Sequence, residues 1–210
     1  YCGLSDSYDG ASHQAITDLA FVRAIPNMTV ITVADAVETK KAVFAIAEHQ
    51  GPVYLRLSRA AAPVFYPEDM KFEIGRGIKV REGGDVTIIT TGTVLHKALA
   101  AAELLEAKGI QARVVDMHTI KPIDEELIIE CARETGAIVT VEEHSVCGGL
   151  GSAVAEVLAE HMPVPMTRIG ATDFAESGDY EQLLVKYGYG PESIAEKCEK
   201  VMKRKQVQKK

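Results

Sequence analysis

From Val86 onward the chain alternates strand-like and helix-like segments, and this alternation restricts the fold more than any other feature of the sequence. "VTIITT" (86–91) is an apolar, β-branched run. Residues 94–108 carry helical spacing and stop at Gly109, "ARVVDM" (112–117) is again strand-like, and 124–134 form a second helical segment ended by Gly136. "AIVTVE" (137–142), a helical stretch over 151–160 and "PMTRIG" (165–170) continue the series, and two further helical segments close it. Strands alternating with helices of about 10–15 residues form an open, mostly parallel α/β sheet. A hairpin is expected around "FEIGRGIKVREGGD" (72–85), preceded by a linker over 60–71, "AAAPVFYPEDMK", which has two prolines and no period.

The first sixty residues read as helix, strand, helix, strand. Ile16, Leu19, Ala20, Val22 and Ala24 suit a helix over 12–25, which Pro26 and Asn27 stop. "TVITV" (29–33) follows, then a second helix through His49 opened by an Asp35–Glu38 capping box, then "VYLRL" (53–57) after Gly51-Pro52. Parallel sheets are stable when both faces are covered, and two strands with two helices cannot manage this. The segment therefore reads as the back half of an α/β domain, completed by upstream sequence or by a partner chain. The expected fold class is α/β, a partial parallel domain followed by an open, mostly parallel one.

With 47% apolar and 25% charged residues the chain is expected to be a soluble globular protein with a real core. Its net charge of −7 argues against a protein built to grip nucleic acid, and the lysine-rich tail from Lys197 to Lys210 reads as a solvated helix end. No apolar run approaches the roughly 20 residues of a membrane span and Tyr1 is not followed by a basic-plus-apolar stretch, so neither a membrane nor an export role is expected. Cys2, Cys131, Cys147 and Cys198 are scattered, as expected of reduced thiols in the cytoplasm. The start at Tyr1 suggests a piece of a longer polypeptide.

Four stretches carry possible chemistry. "CGGLGSA" (147–153) lies between a strand and a helix like a phosphate loop, but Val154 breaks the dinucleotide fingerprint and no Lys-Ser/Thr pair follows, so tight backbone packing is the preferred reading. In "VEEHS" (141–145) Glu143 and His144 point to opposite faces and read as a surface turn. The isolated His49, His96, His118 and His161 form no metal-ligand pattern. Arg56 and Arg59, leaving "VYLRLSRA", suit either a bidentate grip on a phosphate or carboxylate, or a salt bridge at a domain seam. In "SYDGASHQ" (7–14), Asp9 and Ser12 are placed to cap the first helix, and Gly10 permits a tight turn. His13 then falls in the helix's first turn, at the positive end of the dipole, where a neutral ring can donate a hydrogen bond or shuttle a proton. Spacing alone favours capping and packing over a reaction site.

"DGASHQAITDLAFVRAIPNMTVITVAD", "GPVYLRLSR" and "EEHSVCGGLGSAVAE" together resemble the thiamine-diphosphate-dependent transketolase family, over nearly the whole chain from about Gly3 to Lys200. The resemblance implies the latter half of a pyrimidine-binding domain (1–60), a linker (61–71) and a transketolase C-terminal domain (72–210). It implies that Asp9 contacts a sugar hydroxyl, that His13 is the catalytic histidine bonding substrate beside the thiazolium, and that Arg59 receives a sugar phosphate. Ketol transfer between sugar phosphates follows, with thiamine diphosphate and Mg2+ as cofactors of the complete enzyme. The family's G-D-G…Asn motif and its upstream glutamate do not occur in these residues, so neither cofactor is expected to be bound by this chain alone. A cofactor-binding N-terminal domain or subunit and a homo-oligomer are the implied partners. Alternatives are 1-deoxyxylulose-5-phosphate synthase, a 2-oxo-acid dehydrogenase beta subunit, or a non-catalytic dimerisation or regulatory module.

Overall fold

The computed structural model describes residues 1–207 and contains two sheets, one three-stranded and one five-stranded. In chain order the elements are α1 (Asp18–Ala24), β1 (Thr29–Thr32), α2 (Ala36–Glu48), β2 (Val53–Arg56), β3 (Ile78–Arg81), β4 (Val86–Thr90), α3 (Leu95–Glu106), β5 (Ala112–Asp116), β6 (Thr119–Lys121), α4 (Glu125–Thr135), β7 (Ile138–Ser145), α5 (Leu150–His161), β8 (Met166–Ala171), α6 (Tyr180–Lys186) and α7 (Pro191–Val207). The last three residues of the lysine-rich tail lie outside the described residues.

The five-stranded sheet runs β3-β5-β4-β7-β8, parallel throughout except for β3, which pairs antiparallel with β5. Its central strand β4 is buried at every position, as expected of a strand covered on both faces. One face packs Val86, Ile88, Val114 and Val139 against Ala98, Ala101, Leu105, Cys198 and Val201 of α3 and α7. The other packs Ile89, Val115 and Ile138 against Ile128, Cys131, Val154 and Leu158 of α4 and α5. Each fully buried side chain of Val, Ile or Leu size contributes about 1.5–3 kcal/mol. Helix α4 has the ends its sequence predicts: the Asp124 carboxylate accepts from Leu127 N–H at 3.1 Å, and Gly136 closes it in the left-handed conformation at φ 65°. The alternating α/β architecture read from the sequence is the architecture observed.

The smaller sheet, ordered β2-β1-β6, differs from the sequence reading. Its β1 and β2 are parallel, but a third strand, β6, returns from the second half of the chain and pairs antiparallel with β1. One face is covered by α2 with Phe72 and Ile74. On the other, Val30 and Tyr54 join Leu19 and Val22 of α1 in the same core as α4 and α5. The segment thus shares its core with the larger unit. The capping box of α2 is present, Glu38 N–H bonding Asp35 Oδ1 at 2.8 Å, while the Glu38 carboxylate reaches back to Ala34 N–H at 2.6 Å.

Three local expectations are corrected. No hairpin forms over 72–85: β3 pairs with β5 and not with the next strand, because β5 lies between β3 and β4 and Gly83 presses on its backbone at Ala112 and Arg113. The first helix begins at Asp18, not Ser12. Backbone groups just before it are committed elsewhere: Gly3 N–H bonds Ala15 C=O (2.9 Å), Ala15 N–H bonds Tyr1 C=O (3.0 Å), and Ser145 N–H bonds Ile16 C=O (2.7 Å). Consequently Asp9 and Ser12 cap nothing, the N-cap Thr17 makes no side-chain cap bond, and His13 is not in a helical turn. Finally, "VEEHS" is no surface turn, since β7 runs to Ser145 with Glu142, Glu143 and His144 all buried.

Candidate active site

The seam between the two sheets is organised by Arg56 at the end of β2. Its Nε donates to Asp18 Oδ2 at 2.7 Å, and its Nη2 donates to Asp18 Oδ1 (3.0 Å), Ala15 C=O (2.8 Å) and Glu143 C=O (3.1 Å). Tyr54 Oη donates to Asp18 Oδ2 at 2.9 Å. Burial works against the Asp18 charge, but the Arg56 bonds and the Tyr54 hydroxyl outweigh it and hold the carboxyl below its usual range. For Arg56 the salt-bridge reading is the one realised.

The three residues after "TV" in β7 have separate partners on its two faces. Glu142 accepts Leu150 N–H (2.6 Å) and Gly151 N–H (2.7 Å), placing a carboxylate at the N-terminus of α5. A Cβ on Gly149 would overlap that carboxylate, so the glycine turn packs around Glu142, in agreement with the packing reading of "CGGLGSA". Burial pushes Glu142 up to about 7 against these two bonds. His144 Nδ1 lies 2.8 Å from Ser145 C=O and its Nε2 receives Ala20 N–H at 3.4 Å, an arrangement suited to a neutral ring, which burial favours. On the opposite face Glu143 accepts from Leu4 N–H (3.2 Å), Thr93 Oγ1 (3.0 Å) and Tyr180 Oη (2.9 Å). Burial raises the Glu143 carboxyl above its ordinary value, and those three donors pull it partly back.

Against this seam lies the loop carrying Asp9 and His13. A turn closed by His13 N–H to Gly10 C=O (3.0 Å) puts both residues on one exposed rim, with Gly10 at φ 75° packed on Ser177. Ser12 Oγ and His13 Nδ1 are 3.0 Å apart. Arg59 joins them: its Nη1 donates to Asp6 and, at 3.0 Å, to Asp9 Oδ2, and its Cζ stands 5.5 Å from the Tyr1 ring centroid. Burial opposes ionisation of Asp6, yet the Arg59 bond holds it below the usual carboxylate range, with a smaller contribution from His13. Arg59 and Asp9 are therefore in direct contact, and His13 lies on the Asp9 loop. Asp6 is the partner that sequence reasoning missed, because nothing in "LSDSYD" marks one acid of the pair as buried.

A cavity of about 490 Å3 opens past the carboxyl ends of β1 and β2, lined by Asp35, Thr39, Leu57, Ser58, Ala60 and Thr93 among others; Arg59, Asp9 and His13 do not line it. This is where open α/β sheets hold ligands. No group of three or more His, Cys, Asp or Glu side chains that could hold a metal occurs among the described residues, and no described helix is long and apolar enough to cross a membrane.

Comparison with known proteins agrees with this architecture. Residues 75–194 match the transketolase C-terminal domain and residues 1–64 the transketolase pyrimidine-binding domain. Among curated relatives, 6-deoxy-6-sulfo-D-fructose transketolase subunit SqwH of Clostridium sp. is 43% identical over 204 residues, covering 97% of this chain and 63% of that protein. An apulose-4-phosphate transketolase subunit of Phocaeicola vulgatus is 42% identical over 187 residues, covering 88% and 60%. A solved structure described as a split gene transketolase, inactive beta4 tetramer, superposes with a TM-score of 0.90 at 52% identity, covering 92% of this chain and 64% of that one. The chain belongs to the transketolase family. It spans less than two thirds of the length of each of these relatives.

Proposed function

We propose that the chain is one part of a two-chain transketolase-type transferase, moving a two-carbon ketol unit from a ketose phosphate to an aldose phosphate. The observation that carries the reading is the bond between Arg59 and Asp9 on an exposed rim, where the loop that holds Asp9 also carries His13. In this proposal Asp6 keeps Arg59 in place, the guanidinium takes the sugar phosphate, and Asp9 exchanges its arginine bond for sugar hydroxyls. His13 acts as the catalytic histidine, donating to an oxygen on which charge develops. Two relatives that are transketolase subunits support a partner chain, and the tetramer of the similar solved structure supports a homo-oligomeric arrangement within the assembly. In this reading residues 1–60 are part of a pyrimidine-binding domain, 61–71 a linker and 72–210 a C-terminal domain, and free cysteines support a cytoplasmic location.

Thiamine diphosphate and Mg2+ are implied by the family, and the described residues do not fit a diphosphate–metal cradle. They contain no metal-ligating cluster, and the glycine turn before α5 is filled by Glu142. In this proposal the diphosphate and Mg2+ are held by the partner chain. The test is reconstitution with a cofactor-binding partner, thiamine diphosphate, Mg2+ and xylulose 5-phosphate. His13→Ala is expected to lower kcat by about 100-fold or more, the loss typical of removing an oxyanion donor or general acid. Full activity in that variant would remove the role given to His13.

A further inference from the structure

We propose that Glu143 is a positioning residue for Arg59, acting through the segment Leu4–Asp6. The proposal rests on the assignment of Arg59 to a substrate phosphate. Glu143 belongs to the central region of the larger sheet, and its carboxylate is buried. Two of its three donors, Thr93 and Tyr180, come from the same unit, from the 3-10 turn before α3 and the start of α6. The third, Leu4 N–H, comes from the substrate loop. That loop passes directly over Glu143: Gly3 stands at φ 58°, and a Cβ on it would come within 2.5 Å of Glu143 Cβ.

The next two residues pass this restraint on. Ser5 Oγ donates to Cys2 C=O at 2.6 Å and accepts Arg59 N–H at 3.1 Å, and the Asp6 carboxylate accepts the Arg59 guanidinium. Of three successive residues, one is held by Glu143 and two hold Arg59, at its main chain and at its side chain. Leu4 is itself in the core at 1% exposure, so its amide has no solvent to turn to when its acceptor is lost. The Arg59 side chain, by contrast, is half exposed and relies on the bonds from this segment. The unit that contributes none of the three proposed substrate residues thereby sets where the phosphate-binding one stands.

The experiment uses the reconstituted two-chain enzyme with xylulose 5-phosphate and, separately, unphosphorylated xylulose as donor, together with amide hydrogen exchange of the free chain. Glu143→Ala is expected to raise KM for the phosphorylated donor about tenfold, the loss of one buried hydrogen bond, with kcat held within about twofold. KM for the unphosphorylated donor stays unchanged, and Glu143→Gln, which keeps an acceptor oxygen for Leu4 N–H, recovers most of the loss. Exchange at Leu4–Asp6 rises about tenfold in Glu143→Ala while α3 and α5 keep their protection. Should Glu143→Ala not fold, Tyr180→Phe, which removes one of the donors that hold the carboxylate, is expected to give the same pattern at about threefold. An equal loss for both donors, or unchanged KM with normal exchange at Leu4–Asp6, overturns the proposal. Arg59→Ala separates the two readings: if it leaves the preference for the phosphorylated donor intact, the phosphate assignment fails, while the exchange measurement still decides whether Glu143 holds the segment.

Discussion

Arg56 and Arg59 stand three positions apart at the exit of one strand, and they differ in almost everything but chemistry. The Arg56 side chain is 3% exposed, and it is bonded to a buried carboxylate and two carbonyls. The Arg59 side chain is 53% exposed and bonded through one nitrogen to two acids, one buried and one on the rim. A charge without water must be fully partnered, and once partnered it is not available to a ligand. A charge at the rim can trade one partner for another at little cost. Three residues of chain thus separate a structural cation from an exchangeable one.

The largest expected effect is at the seam. Arg56→Ala leaves Asp18 buried without its counter-charge and is expected to lower unfolding free energy by about 3–5 kcal/mol, whereas Arg59→Ala, which removes a half-exposed partner from Asp6, should lower the urea midpoint by much less. Equal midpoints for the two variants would erase the distinction drawn between them. Next comes the pH dependence of the buried acids. Burial pushes Asp116 up to about 7, and Glu142 to about 7 likewise. Groups whose folded values are raised contribute stability that is complete below their unfolded values and lost as pH rises through the folded ones. The buried histidines, His118 above all, work in the opposite direction, so the contribution of the acid is read by difference: between about pH 4.5 and 7 Glu142→Gln should lose less thermal stability with rising pH than the unsubstituted chain does. Identical pH profiles for the two proteins contradict the burial assigned to Glu142. The smallest effect is at the rim: Asp9→Asn should leave the unfolding midpoint unmoved, yet raise KM for the sugar phosphate donor about three- to tenfold, one hydroxyl contact. A stability loss there would show that Asp9 serves the fold and not the ligand.

Much of this was legible because the signals are local. Asp124 and Gly136 bound α4 by chemistry that acts within one turn, and β-branched runs such as "VTIIT" declare buried strands without reference to their neighbours. The start of α1 was not legible, since Ala15 and Ile16 spend their carbonyls on Gly3 and Ser145, one of them 129 residues away in sequence. Neither was the burial of Glu143, whose donors come from residues 4, 93 and 180. For the candidate site, residue type and spacing drew attention to Asp9, His13 and Arg59, and family resemblance assigned them roles. The contact between Asp9 and Arg59 joins positions 50 residues apart, and Asp6, which completes the arginine's anchorage, carried no signal that periodicity or motif could detect.

Strand β6 has a consequence for engineering and for descent. Its three residues arise between β5 and α4 of the larger unit yet complete the smaller sheet against Val30 and Ile31. A recombinant that exchanges everything after the linker with a relative's sequence therefore also replaces an edge strand of the unit it meant to keep. Compatible chimeras must match Thr119–Lys121 to the recipient's β1, so the two units are constrained to change together across a boundary that sequence comparison draws as a clean division.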